Sequence, residues 1–183
     1  MKGIIFNVFL DLVEKENGYG TVDTIIENSN LKSKGIYTSV GTYPHEELIS
    51  LIKQYSNITG ISVSEIMQNF GQFAFSYFAE SYSEIIQNYK NMFDFLERLE
   101  DTIHVEVLKL YPEAELPVFI VDKNDKNEMI LHYQSDRKMA DLAHGLLIGC
   151  MEHFKTRFEL KTEPLKSDNS SVMFIIRKHE IRN

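Results

Sequence analysis

The sequence predicts an α+β fold, with helices in the first two-thirds of the chain and a meander of strands in the last third. Apolar residues recur at helical spacing up to about Leu110, and Pro112 interrupts that pattern. Short runs of β-type composition follow, with one helix inserted among them. Helices first and strands last are typical of the α+β class. A chain of 183 residues is expected to form a single domain over residues 1–183 and to bury a sizeable core.

The first helices are predicted from apolar spacing and from signals at their ends. A helix that begins near Ile4 is ended by the glycines within residues 18–20. A short helix is expected at residues 22–28, and Pro44 opens another that continues to about Asn57. Acidic residues in the first turn of that third helix favour its formation.

The fourth predicted helix is the most apolar one. Ser62 and Glu65 form a capping-box pattern just ahead of it. Its apolar residues cover more than half of its circumference between residues 66 and 78, so we expect it to be buried on two sides. Further helical pattern extends over residues 82–110.

Strands follow Pro112 and alternate with polar turns. The turn between the first two strands is expected at residues 123–127, which are all polar. An amphipathic helix separates the first pair of strands from the second pair. The predicted strands lie at residues 116–121, 128–135, 157–162 and 172–178, and the helix at residues 138–154.

Composition excludes several classes of protein. The formal net charge of −8 argues against a nucleic-acid partner, because a basic footprint is missing. The single cysteine, Cys150, excludes an intrachain disulfide and a Cys-x-x-Cys-His attachment site, and it fits a reducing compartment. No stretch approaches the ~20 apolar residues of a membrane span. We therefore expect a cytoplasmic protein with no membrane segment.

Tyr133, Ser135 and Arg137 form the most informative cluster in the sequence. In an extended strand every second side chain points to the same face, so these three side chains are expected to project together. Two hydroxyl groups and a guanidinium are suited to binding carboxylates. Packing alone does not require such a cluster, so it suggests a bound anion.

Two histidines, His104 and His144, are candidate metal ligands in apolar segments. For each, the alternative is a buried imidazole satisfied by a backbone carbonyl. The other four histidines need no bound metal. His45 and His179 are expected to be solvated, and His132 is expected on the strand face opposite to Tyr133. His153 lies near the end of its helix, where a cation is favourable.

The motifs of common enzymes and metal sites are missing. The chain has no His-Glu-x-x-His sequence, no paired cysteines, no P-loop, no Gly-x-Gly-x-x-Gly and no Gly-x-Ser-x-Gly. We therefore expect no catalytic residues and no enzymatic activity.

A haem accounts for the anion site, the histidine and the excess of apolar surface together. Its iron takes an axial imidazole, its macrocycle needs a dry apolar slot, and its propionates need donors and positive charge. Arg137 is suited to a propionate, with Tyr133 and Ser135 beside it. A haem-free protein that binds a small carboxylate through Arg137 is the alternative that leaves His104 without a role.

These residues resemble those of the H-NOX (haem nitric oxide/oxygen binding) family, and the resemblance covers essentially the whole chain. The family fold is a helical N-terminal subdomain, here residues 1–60, packed on a C-terminal subdomain, here residues 61–183. That second subdomain has a four-stranded antiparallel sheet and helices, with haem buried between the two. The features that carry the resemblance are the Tyr-x-Ser-x-Arg motif, His104, Pro117, the opening Met1-Lys2-Gly3, residues 131–135 and the helix containing residues 145–147.

The resemblance implies a role for each matching residue. His104 matches the proximal iron ligand, and Tyr133, Ser135 and Arg137 match the residues that bind the propionates. Pro117 matches a proline that distorts the haem. The matches to the distal pocket and to haem-packing positions are Ile5, Phe9, Ala74, Phe75, Phe78, Leu142 and Leu146.

Leu142 stands where oxygen-binding members of the family have a tyrosine. Bound dioxygen carries partial negative charge, and losing one hydrogen bond to it costs on the order of 1–3 kcal/mol, a tenfold to hundredfold weakening. Nitric oxide depends far less on such a donor. His144 lies two residues later, a rotation of about 200° around a helix, so it is expected to face away. The aligned pocket is therefore expected to contain no tyrosine, histidine or asparagine and to exclude oxygen.

The function implied is a gas sensor that holds haem b non-covalently as a five-coordinate ferrous haem and binds nitric oxide and carbon monoxide. In the family, nitric oxide weakens the bond between iron and the proximal histidine and shifts one subdomain against the other. The implied partner is a histidine kinase, a cyclic-dinucleotide enzyme or a chemotaxis transducer. An oxygen-binding or redox haem protein is the alternative.

Overall fold

A computed structural model describes residues 1–178 of the chain, apart from the side chain of Asn124. His179, expected to be solvated, lies outside the described residues. The helices are α1 (Gly3–Asn17), α2 (Tyr19–Glu27), α3 (His45–Thr59), α4 (Val63–Ser81), α5 (Ser83–Ile86), α6 (Met92–Glu97), a π-helix (Leu99–His104), α7 (Val105–Leu110) and α8 (Ala140–His153). The strands are β1 (Val118–Asn124), β2 (Glu128–Gln134), β3 (Phe158–Pro164) and β4 (Ser171–Lys178).

The strands form a four-stranded sheet in the order β1-β2-β4-β3, and every pairing is antiparallel. Helices precede the sheet in the chain, and α8 lies between β2 and β3. The predicted α+β class is therefore confirmed. Among the described residues, no helix is both long enough and apolar enough to cross a membrane.

The end signals of the first helices act as the sequence predicts. The hydroxyl oxygen of Ser62 accepts a hydrogen bond from the backbone N–H of Glu65 at 3.2 Å, which caps α4. Gly60 ends α3 in the left-handed conformation, at φ 75°, and its N–H donates to the carbonyl of Ser56.

The helical pattern over residues 82–110 does not form one helix. It breaks into α5, α6, the π-helix and α7. One break has a local cause, because the side-chain oxygen of Asn91 accepts from the backbone N–H of Asp94 at 3.0 Å and starts a new helix. Another lies at Tyr82, whose backbone leaves the helical region at φ −120° and ψ 34°.

The turn predicted at residues 123–127 is shorter than expected. Strand β1 continues to Asn124 through a bulge between Val121 and Lys123. A carboxylate oxygen of Asp125 then accepts from the backbone N–H groups of both Asn127 and Glu128, at 2.8 Å and 2.9 Å, which closes the turn.

Two hydrophobic clusters meet along α4. Phe70 and Ala74 of α4 belong to the cluster that also includes α1 and α3, whereas Phe75 and Ala79 belong to the cluster between α8 and the sheet. The burial of α4 on both sides therefore joins the helical part of the chain to the sheet.

Helices α4 and α8 pack backbone to backbone at glycines. A Cβ atom at Gly145 would lie 2.0 Å from the carbonyl oxygen of Gln68, and one at Gly71 would lie 2.3 Å from the carbonyl oxygen of Leu142. A Cβ at Gly149 would lie 2.7 Å from the Cβ of Phe75. Larger residues at these positions would push the helices apart, so the glycines set the distance between α4 and α8.

We expect Gly145→Ala to lower the free energy of unfolding by about 1–3 kcal/mol, because the added methyl group overlaps backbone that cannot move aside cheaply. Urea unfolding followed by circular dichroism measures this change. Gly20→Ala in α2 is the matched control, since a Cβ there meets nothing within 4 Å. The control is expected to keep or raise stability, by up to about 1 kcal/mol. Equal effects of the two substitutions would contradict the close packing of α4 and α8.

Candidate cofactor site

A cavity of 420 Å³ lies where α1, α4 and α8 approach the segment that connects the π-helix to β1. Its volume is in the usual range for small-molecule sites, about 300–1,000 Å³. Most lining side chains are aliphatic or aromatic. Such a lining favours a flat apolar ligand and disfavours a bare ion.

His104 is the last residue of the π-helix and lines the cavity. Its side chain is 13% exposed, and Nδ1 lies 3.1 Å from Oε1 of Glu100, although the two groups are not aligned as a hydrogen bond. No backbone carbonyl among the described residues accepts from Nδ1, so the carbonyl-satisfied alternative for this imidazole is not observed. With Nδ1 turned to Glu100, Nε2 is the nitrogen left for a ligand.

Glu100 joins the π-helix to the sheet. Its Oε1 also accepts a hydrogen bond of 2.6 Å from the backbone N–H of Phe119 on β1. Glu100 is not among the residues predicted from the sequence. Its spacing from His104 could have indicated the contact, because residues four apart on a helix lie on the same face.

Arg137 lines the cavity, whereas Tyr133 and Ser135 do not. Strand β2 ends at Gln134, and a turn follows in which Lys138 has a positive φ of 56°. The prediction that the three side chains share one strand face is therefore wrong beyond Gln134, since strand alternation stops there.

The turn nevertheless keeps these groups together. Burial raises the pKa of Tyr133, and the Ser135 hydroxyl, the Met139 N–H and the charge of Arg137 act in the opposite direction. The hydroxyl oxygen of Ser135 accepts from the backbone N–H of Arg137 at 3.3 Å. Tyr133 and Ser135 thus lie close to Arg137 but do not line the cavity.

Arg137 is held by a carboxylate of the chain itself. It donates from Nη1 to the carbonyl oxygen of Glu115 at 2.8 Å and from Nη2 to the Glu115 carboxylate at 2.9 Å. Its side chain is 16% exposed, whereas that of Glu115 is 86% exposed. Glu115 shows that the guanidinium is oriented to bind a carboxylate at this mouth of the cavity.

Positive groups from the N-terminus lie at the same mouth. The amino group of Met1 donates to the carbonyl of Tyr43 at 2.8 Å, and burial, followed by the charge of Arg137, lowers its pKa. Lys2 donates to the hydroxyl of Thr42 at 2.8 Å, and its Nζ lies 5.8 Å from the centre of the Tyr111 ring. We call Met1, Lys2, Thr42, Tyr111, Glu115 and Arg137 the polar rim.

The apolar wall comes from α1, α4 and α8. Ile5, Phe75, Phe78, Leu142 and Leu146 all line the cavity, as expected from the sequence. Pro117 and His104 line it from the segment before β1. Phe9 and Ala74 are not among the lining residues, because both are buried in the core behind the wall, where Phe9 packs edge-on against Phe70 and Tyr55.

Two tyrosines that were not predicted from the sequence line the cavity. Tyr82 follows α4, Tyr111 follows α7, and both contribute to the lining. Burial raises the pKa of Tyr82, and the neighbouring side chain of Tyr111 raises it further. The prediction that the pocket contains no tyrosine is therefore correct at position 142 of α8. It is incorrect for the cavity as a whole.

His144 faces away from the cavity, as the helical rotation from Leu142 predicts. Its Nδ1 lies 2.8 Å from the hydroxyl oxygen of Thr162 on β3, and its ring packs edge-on against Phe174. Burial lowers the pKa of His144. Cys150 does line the cavity, and burial raises the pKa of its thiol, so the thiol is the stable form.

The arrangement fits a haem. The cavity is apolar, a buried imidazole with an unsatisfied Nδ1 borders it, and Arg137 at the polar rim already binds a carboxylate. These are the groups that a macrocycle, its iron and its propionates require.

Comparison with known proteins identifies relatives over nearly the whole chain. Residues 2–162 match the model of the Haem-NO-binding family. The unliganded Fe(II) H-NOX protein from K. algicida is 40% identical, with a TM-score of 0.93, and the match covers 100% of this chain and 99% of that one.

Two further H-NOX structures from Shewanella are similar. The S. oneidensis protein in the Fe(II)NO state is 28% identical, with a TM-score of 0.90 over 98% of this chain and 100% of that one. The Shewanella woodyi protein in the Fe(II)CO state is 41% identical, with a TM-score of 0.86 over 100% of this chain and 97% of that one.

Proposed function

The chain belongs to the Haem-NO-binding family of haem gas-sensor domains, and we propose that it senses nitric oxide through haem b bound non-covalently in the cavity. The position of His104 carries this proposal. It lines an apolar cavity with Nδ1 turned toward Glu100, so Nε2 is available as the iron ligand. Bound haem supplies an iron that takes an axial imidazole and a diatomic gas.

The polar rim is the proposed site for the propionates. Arg137 binds one carboxylate there already, and we propose that Tyr133 and Ser135, which lie close to it, complete the propionate site. Pro117 and His104 both lie in the part of the chain before β1, and we propose that Pro117 presses on the macrocycle. No cysteine other than the buried Cys150 is present, which supports non-covalent attachment.

Nitric oxide and carbon monoxide are the proposed ligands. The S. oneidensis and S. woodyi relatives have been solved in the Fe(II)NO and Fe(II)CO states, which supports this assignment. We propose that Leu142 and its apolar neighbours disfavour dioxygen, because the wall at that position offers no hydrogen-bond donor.

One observation favours the alternative of an oxygen-binding or redox haem protein. Tyr82 lines the cavity and carries a hydroxyl. Burial raises its pKa, and the side chain of Tyr111, a member of the polar rim, raises it further. We retain nitric oxide as the proposed ligand because Tyr82 lies near Tyr111 and does not stand at the α8 position of Leu142.

Signalling is proposed to start at the segment that carries His104. The π-helix is joined to β1 through Glu100 and Phe119, whereas α4 and α8 are fixed to each other by glycines. A bound haem would be held by His104, so a change at the haem would be passed to the π-helix, and we propose that the N-terminal subdomain (residues 1–60) then shifts against the rest. That gives two states with different ligand affinity, which a sensor needs. The proposed partner is a histidine kinase, a cyclic-dinucleotide enzyme or a chemotaxis transducer.

We expect His104→Gly to purify without haem unless imidazole is supplied during expression. The free imidazole replaces the lost side chain in the same space, so the Soret absorption should return with it. Absorption spectra of both preparations measure this. His144→Gly is the matched control and should retain haem without imidazole, since His144 faces β3. A native spectrum in His104→Gly without imidazole would exclude His104 as the ligand.

Leu142→Tyr should allow the reduced protein to bind dioxygen in air, because a hydroxyl donor then faces the cavity. The gain should be tenfold to hundredfold in oxygen affinity, corresponding to roughly 1–3 kcal/mol. Leu142→Phe, which adds the ring without the hydroxyl, should bind no more oxygen than the unaltered protein. Oxygen binding by the unaltered protein that disappears in Tyr82→Phe would support the alternative function instead.

A further inference from the structure

The carboxylate of Glu100 touches both the imidazole of His104 and the backbone of β1. Its Oε1 lies 3.1 Å from Nδ1 of His104 and accepts from the N–H of Phe119 at 2.6 Å. We propose that Glu100 is a positioning residue that accepts the Nδ1 proton of His104 in a hydrogen bond and strengthens the imidazole as an iron ligand. This inference rests on the proposed function, in which His104 holds the iron.

The geometry leaves Nδ1 with one acceptor. The atom is buried and has no hydrogen-bond partner among the described residues, yet a carboxylate oxygen lies within contact distance. We infer that the N–H of Nδ1 points to that oxygen when haem is bound, because an unsatisfied buried donor is destabilising.

The anchor on β1 fixes the carboxylate in place. Phe119 N–H holds Oε1, so Glu100 does not depend on the position of His104 for its own orientation. Its side chain is 37% exposed, so the charge retains part of its hydration. The full cost of burying a charge therefore does not apply at this position.

Neighbouring acidic residues do not share this arrangement. Asp101 follows Glu100 in the π-helix and is exposed. Glu106 lines the cavity and pairs with Lys109 at 2.6 Å. Removal of the Glu100 carboxylate should therefore change the strength of His104 as an iron ligand, and Asp101 is the matched control.

A carboxylate on Nδ1 has two consequences for the imidazole. It fixes the proton on Nδ1, which leaves Nε2 as the ligand atom, and it makes the ring a stronger donor. The stronger ligand favours the ferric state and resists release when nitric oxide binds. Glu100 would therefore set how readily nitric oxide detaches His104 and starts the signal.

Resonance Raman spectra and redox titrations of the haem-loaded protein test the proposal. Glu100→Gln keeps an oxygen that can accept from Phe119 but loses the charge, so the iron–histidine stretching frequency should fall and the Fe(III)/Fe(II) potential should become more positive. Glu100→Ala should shift both in the same direction at least as far, and Asp101→Asn should shift neither. An unchanged frequency and potential in Glu100→Gln would overturn the inference.

A second experiment avoids any dependence on the native histidine. In His104→Gly, imidazole and 4-methylimidazole carry an N–H for Glu100, whereas 1-methylimidazole does not. Binding should favour the N–H ligands, and adding Glu100→Gln should reduce that preference about tenfold. An equal preference with and without Glu100 would contradict the proposal.

Haem binding and the role of Glu100 can be tested separately. Absence of a haem spectrum in the unaltered protein would overturn the proposed function and the role of Glu100 together. A normal haem spectrum with no effect of Glu100→Gln on frequency, potential or ligand preference would overturn the role of Glu100 alone.

Discussion

The backbone contact between α4 and α8 is the constraint on which the rest of the structure depends. Gly71 and Gly145 bring the two helices to a distance that no side chain could occupy. Because α4 contributes to both hydrophobic clusters, this contact fixes α4 against α8 and the sheet. It also places Phe78 of α4 and Leu142 of α8 in the same apolar wall. The cavity therefore has one rigid wall, formed by α4 and α8, and another side that is less firmly held.

That other side is built from short elements held by polar contacts. The π-helix ends at His104 and is attached to β1 through the carboxylate of Glu100. Residues 111–117 are attached to the turn after β2 through the ion pair of Glu115 with Arg137. Partly exposed hydrogen bonds and ion pairs rearrange at lower cost than a close-packed helix pair. A π-helix is also rare and is frequently found at functional sites, which agrees with its position at the proposed cofactor ligand.

Local rules predicted most of the fold, and tertiary packing decided the rest. The cap at Ser62 depends only on residues three apart, so the sequence was enough to predict it. The side-chain directions after Gln134 depend on a turn, which the alternation of side chains along a strand cannot predict. The prediction that Arg137 lies on the strand face of Tyr133 was wrong for that reason. The contact of Glu100 with His104 follows from helical spacing and could have been predicted. The hold of Glu115 on Arg137 joins distant segments, and nothing local in the sequence indicates it.

We propose that this cavity holds a haem whose iron is bound by His104 and which distinguishes nitric oxide from dioxygen. The most direct test is the absorption spectrum of the purified, reduced protein, recorded without gas, after addition of stoichiometric nitric oxide, and separately in air. We expect a Soret band in the absence of gas, a shift of that band with nitric oxide, and no stable shift in air. Absence of a Soret band would contradict haem binding, and a stable shift in air would contradict the selectivity assigned to the wall at Leu142.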